Sequence, residues 1–251
     1  MREFPVNRLR ATIAAGQVGV IANGPNTPDL CDFLGQFGFD GAFVDLEHGG
    51  HDWGELADAG RACELWGMTC VVRVNRLDEA QILRALDLGA AAVMVPHVVD
   101  VEDARRAARA CRYPPAGVRG VAGSRRAYGV DDYFRRADAE VQCIALIEDA
   151  EAVENIDALL AVEGIDVWYV APSDLAASLG HVGAPEHAAV QRALARALES
   201  IVAAGQVAGT LVHDGNVERF LDMGVRCVGV PWPAWVARGA RGFLERVRGR
   251  G

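Results

Sequence analysis

Short apolar stretches alternate along the chain with longer segments in which apolar residues recur every three or four positions. The short stretches are typical of buried β-strands, and the longer segments are typical of amphipathic helices that pack one face on a core. Several helical segments end in glycine, for example DWGELADAGRACELWG at 52–67, which suits a helix C-terminus. Eight strands are predicted, at Val18–Asn23, Ala42–Glu47, Cys70–Val74, Ala92–Pro96, Gln142–Glu148, Asp166–Ala171, Val207–Val212 and Cys227–Val230.

Strands that alternate with helices form parallel sheets, and for 251 residues the closed arrangement is the economical one. We therefore predict an α/β fold, a single (β/α)8 TIM barrel that spans residues 1–251 as one domain. A doubly wound open sheet is the alternative, but no strand is followed by GxGxxG or GxxxxGK[ST]. One long irregular stretch, 113–134, separates the fourth and fifth strands. Such a loop is either a lid or interface arm, or simple surface decoration.

Composition excludes several classes of function. Hydrophobic residues make up 51% of the chain and charged residues 24%, as in ordinary globular proteins. The net charge of −9, without a basic block, argues against nucleic-acid or membrane partners and favours a small-molecule substrate. The N-terminus lacks the apolar stretch of a signal peptide, and six scattered cysteines are typical of reduced thiols. We expect a cytoplasmic location.

All 25 basic residues are arginine, and the sequence contains no lysine. A lysine Schiff base, a pyridoxal phosphate (PLP) linkage and a P-loop lysine are therefore excluded as parts of any mechanism.

Candidate catalytic residues lie at the predicted C-terminal ends of strands, where (β/α)8 barrels carry their active sites. Glu148 and Asp174 follow neighbouring strands and can converge on one hard divalent cation, Mg²⁺ or Mn²⁺, whose other positions water and substrate oxygens would fill. Alternatively, Glu148 pairs with an arginine and Asp174 caps the helix that follows it.

A histidine and an arginine lie at two further strand ends. His48, in DLEHGGHD, is a candidate general base, although His51 competes for the role and a structural histidine would also fit. Arg73 lies in the apolar run CVVRV, where an unpaired guanidinium would be costly to bury. It must face either an anionic ligand, such as an enolate or carboxylate, or a carboxylate of Asp45 or Glu47.

Several segments together resemble one enzyme family. The segments FVDLEHG, VVRVN, LDLGAAAVMVPHV, RYPPAGVRGV and LIEDAEAVENIDALLAVEGIDVWYVAPSDLAASLGHVG occur in this order. They are similar to the HpcH/HpaI family of class II pyruvate aldolases, which includes 4-hydroxy-2-oxoheptanedioate aldolase and 2-keto-3-deoxy sugar acid aldolases. The resemblance runs from about the first strand to the last, and the combination of EHG, VRV, PPxGxRG and PSDLAxSLG is highly specific.

The resemblance implies an activity and its requirements. The chain would be a lyase that reversibly cleaves a 4-hydroxy-2-oxo acid to pyruvate and an aldehyde through a metal-stabilised pyruvate enolate. The cofactor would be a divalent cation, Mg²⁺ or Mn²⁺ and possibly Co²⁺, without a Schiff base or PLP. A homo-oligomer, trimeric or hexameric, is also implied. The alternatives are a CoA-ester lyase of the citryl- or malyl-CoA type, a carboligase that takes its enolate from oxaloacetate, and a non-catalytic barrel scaffold.

The resemblance also assigns roles to residues. Glu148 and Asp174 match the metal ligands, His48 the catalytic base, Arg73 the arginine that stabilises the enolate, and Asp87 an aspartate that supports the basicity of the histidine. The implied substrate-binding residues are Arg73, Leu146, Ser173, Asp174 and Leu211, with Ser173 acting through its backbone N–H at the start of a helix.

Three segments depart from the family pattern. The sequence reads LIED where the family commonly reads QIET, so Leu146 replaces a glutamine that touches substrate. The usual GP[AS]D becomes APSD at 171–174, and the usual VPM becomes VPH at 95–97. These departures leave the predicted metal ligands and base in place but affect the identity of the substrate.

Overall fold

Eight parallel strands close into a barrel in chain order, with each strand paired to the next and the eighth paired to the first. The structure, a computed structural model, describes residues 3–249. The strands are β1 (Gly19–Asn23), β2 (Gly41–Asp45), β3 (Thr69–Arg73), β4 (Ala92–Val95), β5 (Gln142–Ile147), β6 (Val167–Val170), β7 (Ala208–Leu211) and β8 (Cys227–Pro231). The predicted (β/α)8 barrel is confirmed, and each predicted strand end lies within two residues of the observed one.

One helix precedes β1, and the others follow the strands in turn. The helices are α1 (Arg8–Ala14), α2 (Pro28–Gly35), α3 (Trp53–Leu65), α4 (Glu79–Leu88), α5 (Val101–Ala110), α6 (Tyr133–Arg136), α7 (Ala150–Glu154), α8 (Ile156–Leu160), α9 (Pro172–Ser178), α10 (Ala188–Ala203), α11 (Val217–Asp222) and α12 (Pro233–Arg248). Two short 3₁₀ helices, Arg125–Ala127 and Ala137–Glu140, lie between α5 and β5.

Local sequence signals explain where the helices after the strands begin. Asp52 accepts hydrogen bonds from the backbone N–H groups of Gly54 and Glu55, and the side chain of Glu55 accepts one from the backbone of Asp52. This reciprocal capping box stabilises the first turn of α3, so the loop after β2 ends at Asp52. Asp78 caps α4 in a similar way, through the backbone N–H groups of its first turn.

The alternation of side chains along each strand divides the core into two layers. Residues that point inward fill the barrel, among them Ile21, Val71, Ile144 and Tyr169, and they pack with Leu9 of α1. The backbone N–H of Leu9 donates to the hydroxyl of Thr69 at the start of β3, so α1 closes the N-terminal end of the barrel. The interior is thus packed, and the opposite end is the one available for chemistry.

The long segment between α5 and β5 lies at the N-terminal end of the barrel. Arg126 within it donates to the backbone carbonyls of Pro5 and of Ala90, which lies two residues before the start of β4. The segment is therefore remote from the C-terminal strand ends. The interpretation of this loop as a lid over the site of its own chain is wrong, because α5 carries the chain to the other end before the segment begins.

The last helix packs unlike the others. No described residue of α12 is buried, and its apolar side chains Trp235, Val236, Phe243, Leu244 and Val247 are exposed. A groove of about 560 Å³ lies beside its start, lined largely by valines of β1, β8 and the segment after β7. In the part of the chain that the structure describes, no helix is both long and apolar enough to cross a membrane.

Candidate active site

A cavity of about 240 Å³ opens at the C-terminal ends of the strands. It is lined by residues from most of the barrel, namely Asn23, Phe43, His48, Arg73, Met94, Leu146, Tyr169, Ala171, Pro172, Ser173, Asp174 and Leu211. All five residues expected to bind substrate lie here, together with the expected base. They meet because parallel strands of a barrel all end at the same rim.

Glu148 lies directly beyond the end of β5 and is only 1% exposed. Its Oε1 accepts a hydrogen bond from the backbone N–H of His97 at 2.9 Å, whereas its Oε2 is buried without a hydrogen-bond partner among the described residues. Burial raises the pKa of Glu148 to about 7, and the charges of Asp174 and Glu47 act in the same direction. A buried carboxylate oxygen without a partner is a favourable position for a bound cation.

Asp174 lies in the first turn of α9, close enough to Glu148 for its charge to raise the pKa of that carboxyl. The helix begins after Ala171, and no side chain caps its first turn. Glu148 forms no ion pair with an arginine among the residues described. Neither structural alternative for the two carboxylates is therefore realised, and both remain available to a cation.

Arg73 ends β3 and contacts two carboxylates at once. Its Nε and Nη2 donate to the two oxygens of Asp45 at 2.9 and 2.6 Å, and its Nη1 lies 3.0 Å from Oε2 of Glu47. Burial alone would lower the pKa of Arg73, but Asp45 and Glu47 outweigh it, so the pKa is raised. These three contacts use three of five N–H groups, which leaves one on each terminal nitrogen for a ligand. The salt-bridge interpretation is confirmed, and it is compatible with anion binding.

His48 follows β2 in a loop, and its side chain is 65% exposed. Its Nε2 lies 3.9 Å from Oε2 of Glu47, the carboxylate that also contacts Arg73. His51 is held differently, because its Nδ1 lies 3.4 Å from Oε2 of Glu55 in the first turn of α3. Of the two histidines, only His48 lines the 240 Å³ cavity.

The sequence model of one family, HpcH/HpaI aldolase/citrate lyase, matches residues 19–230. The chain belongs to this family. A 4-hydroxy-2-oxovalerate aldolase of Novosphingobium aromaticivorans is 38% identical, over 99% of this chain and 97% of the relative. A hydroxypyruvate/pyruvate aldolase of Pseudomonas aeruginosa is 35% identical, over 91% of this chain and 87% of the relative.

A solved structure of an HpcH/HpaI aldolase/citrate lyase family protein from Burkholderia cenocepacia J2315 superposes with a TM-score of 0.90. The two sequences are 32% identical, and the match covers 97% of this chain and all of the other. The family relationship therefore extends over the whole barrel.

Among the predicted site residues of this HpcH/HpaI member, Glu148 lies beside the cavity near Asp174, whereas Asp87 lies far from it. It lies in the last turn of α4, which runs back to the N-terminal end of the barrel, and its Oδ1 accepts a hydrogen bond from Arg119 at 3.0 Å. Within one chain, Asp87 therefore lies at the opposite end from His48. The carboxylate beside His48 is that of Glu47.

His97 is a site residue to which the sequence analysis assigned no role. Its Nδ1 lies 2.9 Å from Oδ2 of Asp149, and its Nε2 lies 4.0 Å from Oε1 of Glu47. Burial would lower the pKa of the imidazole, but Asp149, Glu148 and Glu47 raise it overall. The backbone of His97 has a φ of 51°, which is uncommon for a residue other than glycine.

His97 and Asp149 lie in VPH and LIED, two segments that were expected to depart from the pattern of the family. Their direct contact joins these two segments beside Glu148. The departure in VPH was visible in the sequence, but its contact with Asp149 was not.

The raised pKa of Glu148 predicts how the stability of the metal-free protein depends on pH. Its pKa of about 7 in the folded state lies above the ordinary value of 4.5, so its stabilising effect is complete below pH 4.5 and is lost as pH rises through 7. The loss is on the order of 3 kcal/mol. We expect Glu148→Gln to raise the Tm of the metal-free protein at pH 8 but not at pH 4.5, as measured by calorimetry.

The matched control is Glu151→Gln, which removes a charge from an exposed position on α7. It should leave Tm nearly unchanged at both pH values. Addition of Mn²⁺ should raise the Tm of the wild type and not that of Glu148→Gln. An equal Tm for wild type and Glu148→Gln at pH 8 would contradict the assignment of an uncompensated charge to Glu148.

Proposed function

We propose that the chain is a divalent-metal-dependent aldolase that reversibly cleaves a 4-hydroxy-2-oxo acid to pyruvate and an aldehyde. One observation carries the proposal: a buried carboxylate with a free oxygen, Glu148, adjoins Asp174 beside a cavity that also holds Arg73 and His48. The names of the relatives, 4-hydroxy-2-oxovalerate aldolase and hydroxypyruvate/pyruvate aldolase, support this class of reaction.

The residues present fit a hard cation such as Mg²⁺, Mn²⁺ or Co²⁺. Glu148 and Asp174 would hold it with oxygen ligands, and the remaining positions would be free for water and substrate oxygens. A bound cation would act as a Lewis acid on the 2-oxo group of the substrate. Because the chain has no lysine, a Schiff base cannot supply this electron sink.

Arg73 and the start of α9 would orient the keto acid. The two remaining N–H groups of Arg73 can donate to oxygens of the substrate, and they become more valuable as negative charge develops there. The backbone N–H of Ser173, at the start of α9, is a donor for the pyruvate carboxylate. Leu146 and Leu211 supply apolar walls that keep water from the reacting carbons.

His48 would act as the general base at C4, on the aldehyde side of the C3–C4 bond that breaks. In the cleavage direction, its imidazole accepts the proton of the C4 hydroxyl, the C3–C4 bond breaks, and an aldehyde forms. The bonding electrons pass to the 2-oxo group and leave the enolate of pyruvate beside Arg73. Protonation of C3 then yields pyruvate. Glu47 lies 3.9 Å from Nε2 of His48 and would stabilise the imidazolium that forms.

We further propose that the chain is a homo-oligomer, a trimer or hexamer, located in the cytoplasm. The exposed apolar residues of α12 and the valine-lined groove of about 560 Å³ beside it support contact with further copies. Six buried free thiols are compatible with a reducing compartment.

The first test isolates the pyruvate half-reaction. The metal-loaded protein should exchange the methyl protons of pyruvate with D2O, which proton NMR follows directly. Exchange should vanish on removal of the metal and in Glu148→Ala and Asp174→Ala. In His48→Ala it should fall by about 10²- to 10⁴-fold, the usual contribution of a general base. Borohydride should trap no covalent adduct. Absence of exchange by folded, metal-loaded protein would contradict the proposed function.

The second test concerns Arg73, whose planar fork lies between Asp45, Glu47 and the cavity. Arg73→Lys keeps the charge but cannot reproduce the paired geometry, so kcat should fall about 10²-fold while the Kd for Mn²⁺ changes little. Arg192→Lys, at an exposed position of α10, is the matched control. A near-normal kcat in Arg73→Lys would show that Arg73 serves only as a salt-bridge partner.

The third test measures oligomeric state by light scattering. The mass should be three or six times that of the 26.8 kDa chain. Phe243→Glu places a charge on the exposed apolar face of α12 and should shift the protein to smaller species. A monomer in the wild type would contradict the proposed assembly.

A further inference from the structure

A second cavity, of about 580 Å³, adjoins the 240 Å³ cavity at the barrel mouth. This second cavity, called the outer cavity, lies between the loops that follow β1 and β2, and the 240 Å³ cavity is called the inner cavity. Asn23, Phe43 and His48 line both cavities, so the two communicate past His48. The outer cavity has no role in the binding of pyruvate as described above.

Substrate orientation follows from where the charges lie. Glu148 and Asp174, the proposed ligands of the cation, follow β5 and β6, so pyruvate that binds this cation would turn its carboxylate and 2-oxo group to that side of the mouth. The methyl carbon, where the new bond forms, then faces the side of β2 and β3. His48 must reach the oxygen of C4, so whatever is attached to C4 extends past His48 into the outer cavity.

The outer cavity offers hydrogen-bonding groups. Asn23 lines this cavity, and its side-chain amide can both donate and accept hydrogen bonds. The hydroxyl of Thr27 accepts from the backbone N–H of Leu30 at 3.4 Å, and its own hydrogen remains available as a donor. These groups suit the hydroxyls of a small polyhydroxylated molecule.

The charges of the outer cavity do not suit an anion. Its ionisable lining consists of Asp45, Glu55 and the histidines His48 and His51, and no arginine is among its described lining residues. Arg73 is directed to Asp45 and Glu47 and lines only the inner cavity. A carboxylate on the aldehyde would therefore lie near two acidic side chains without an arginine to pair with it.

From this arrangement we infer that the outer cavity is the aldehyde subsite, and that it selects neutral, hydroxylated aldehydes over aldehydes that carry a carboxylate. The inference rests on the proposed function and adds the substrate class to it.

The test compares three aldehydes in the carbon–carbon bond-forming direction, with pyruvate as the second substrate. Tartronate semialdehyde differs from glyceraldehyde only in a carboxylate in place of the terminal hydroxymethyl group, and propanal lacks the hydroxyls. We expect kcat/KM for glyceraldehyde to exceed that for tartronate semialdehyde by at least about tenfold, and that for propanal by several-fold.

Two variants locate the preference in the outer cavity. Glu55→Arg should reduce the ratio of glyceraldehyde to tartronate semialdehyde by about tenfold, because it places a cation in the lining. Thr27→Val should lower the ratio of glyceraldehyde to propanal. Each comparison is a ratio on one preparation, so partial loss of folded protein cancels. Glu199→Arg, which makes the same charge change at an exposed position of α10, should leave both ratios unchanged.

The possible outcomes distinguish a failure of the proposed subsite from a failure of the proposed reaction. A wild-type preference for tartronate semialdehyde, or a ratio that Glu55→Arg does not change, overturns the subsite while proton exchange of pyruvate still supports the aldolase. Loss of preference in Glu199→Arg would also overturn it, since the effect would then be one of net charge. Failure of the wild type to exchange pyruvate protons overturns the proposed function itself.

Discussion

The buried carboxylate of Glu148 is the constraint on which the site depends. One oxygen is satisfied by the backbone N–H of His97, and the other has no hydrogen-bond partner among the described residues. The barrel mouth also carries Asp45, Glu47, Asp149 and Asp174, so five carboxylates face one arginine, Arg73, and two histidines, His48 and His97. Arg73 is already held by Asp45 and Glu47. The excess negative charge is therefore concentrated beside β5 and β6, where a divalent cation would neutralise it.

This separation of charge also determines how a keto acid would be oriented in the site. The carboxylates that form no ion pair with an arginine among the described residues, Glu148, Asp149 and Asp174, lie on the side of β5 and β6, whereas Arg73 and His48 come from β3 and the loop after β2. A keto acid that turns its oxygens to the first side presents its methyl carbon to the second. The outer cavity, lined by the loops after β1 and β2, continues in the same direction. Pyruvate chemistry and the proposed choice of aldehyde thus follow from one arrangement of charges.

The barrel and the inner site could be predicted because both depend on local patterns. Short apolar runs mark the strands, and the polar residues that follow them, such as His48, Arg73 and Glu148, must meet at one rim once the strands are parallel. A salt bridge of Arg73 to Asp45 or Glu47 was foreseen as an alternative for the same reason, and the structure shows contacts with both carboxylates. These salt bridges leave two N–H groups of Arg73 free as donors, so they do not exclude ligand binding.

Features set by tertiary contacts could not be predicted from the sequence. Asp87 was assigned by resemblance alone, although a helix between two parallel strands must end at the N-terminal end of the barrel; its pairing there with Arg119 was not visible in the sequence. The contact of His97 with Asp149 joins residues 52 positions apart. The outer cavity is formed by two loops whose separation no periodic pattern encodes. In each case the missing information is a distance between elements rather than the identity of a residue.

The central claim is that Glu148 and Asp174 hold a cation on which pyruvate binds through its oxygens. A crystal grown with Mn²⁺ and pyruvate, measured near the manganese absorption edge, tests this directly. The account predicts one anomalous peak about 2.1 Å from Oε2 of Glu148 and from a carboxylate oxygen of Asp174. It also predicts that the carboxylate and 2-oxo oxygens of pyruvate contact the same ion, with the methyl group turned towards His48. An anomalous peak elsewhere, or pyruvate bound without contact to the ion, would contradict the account.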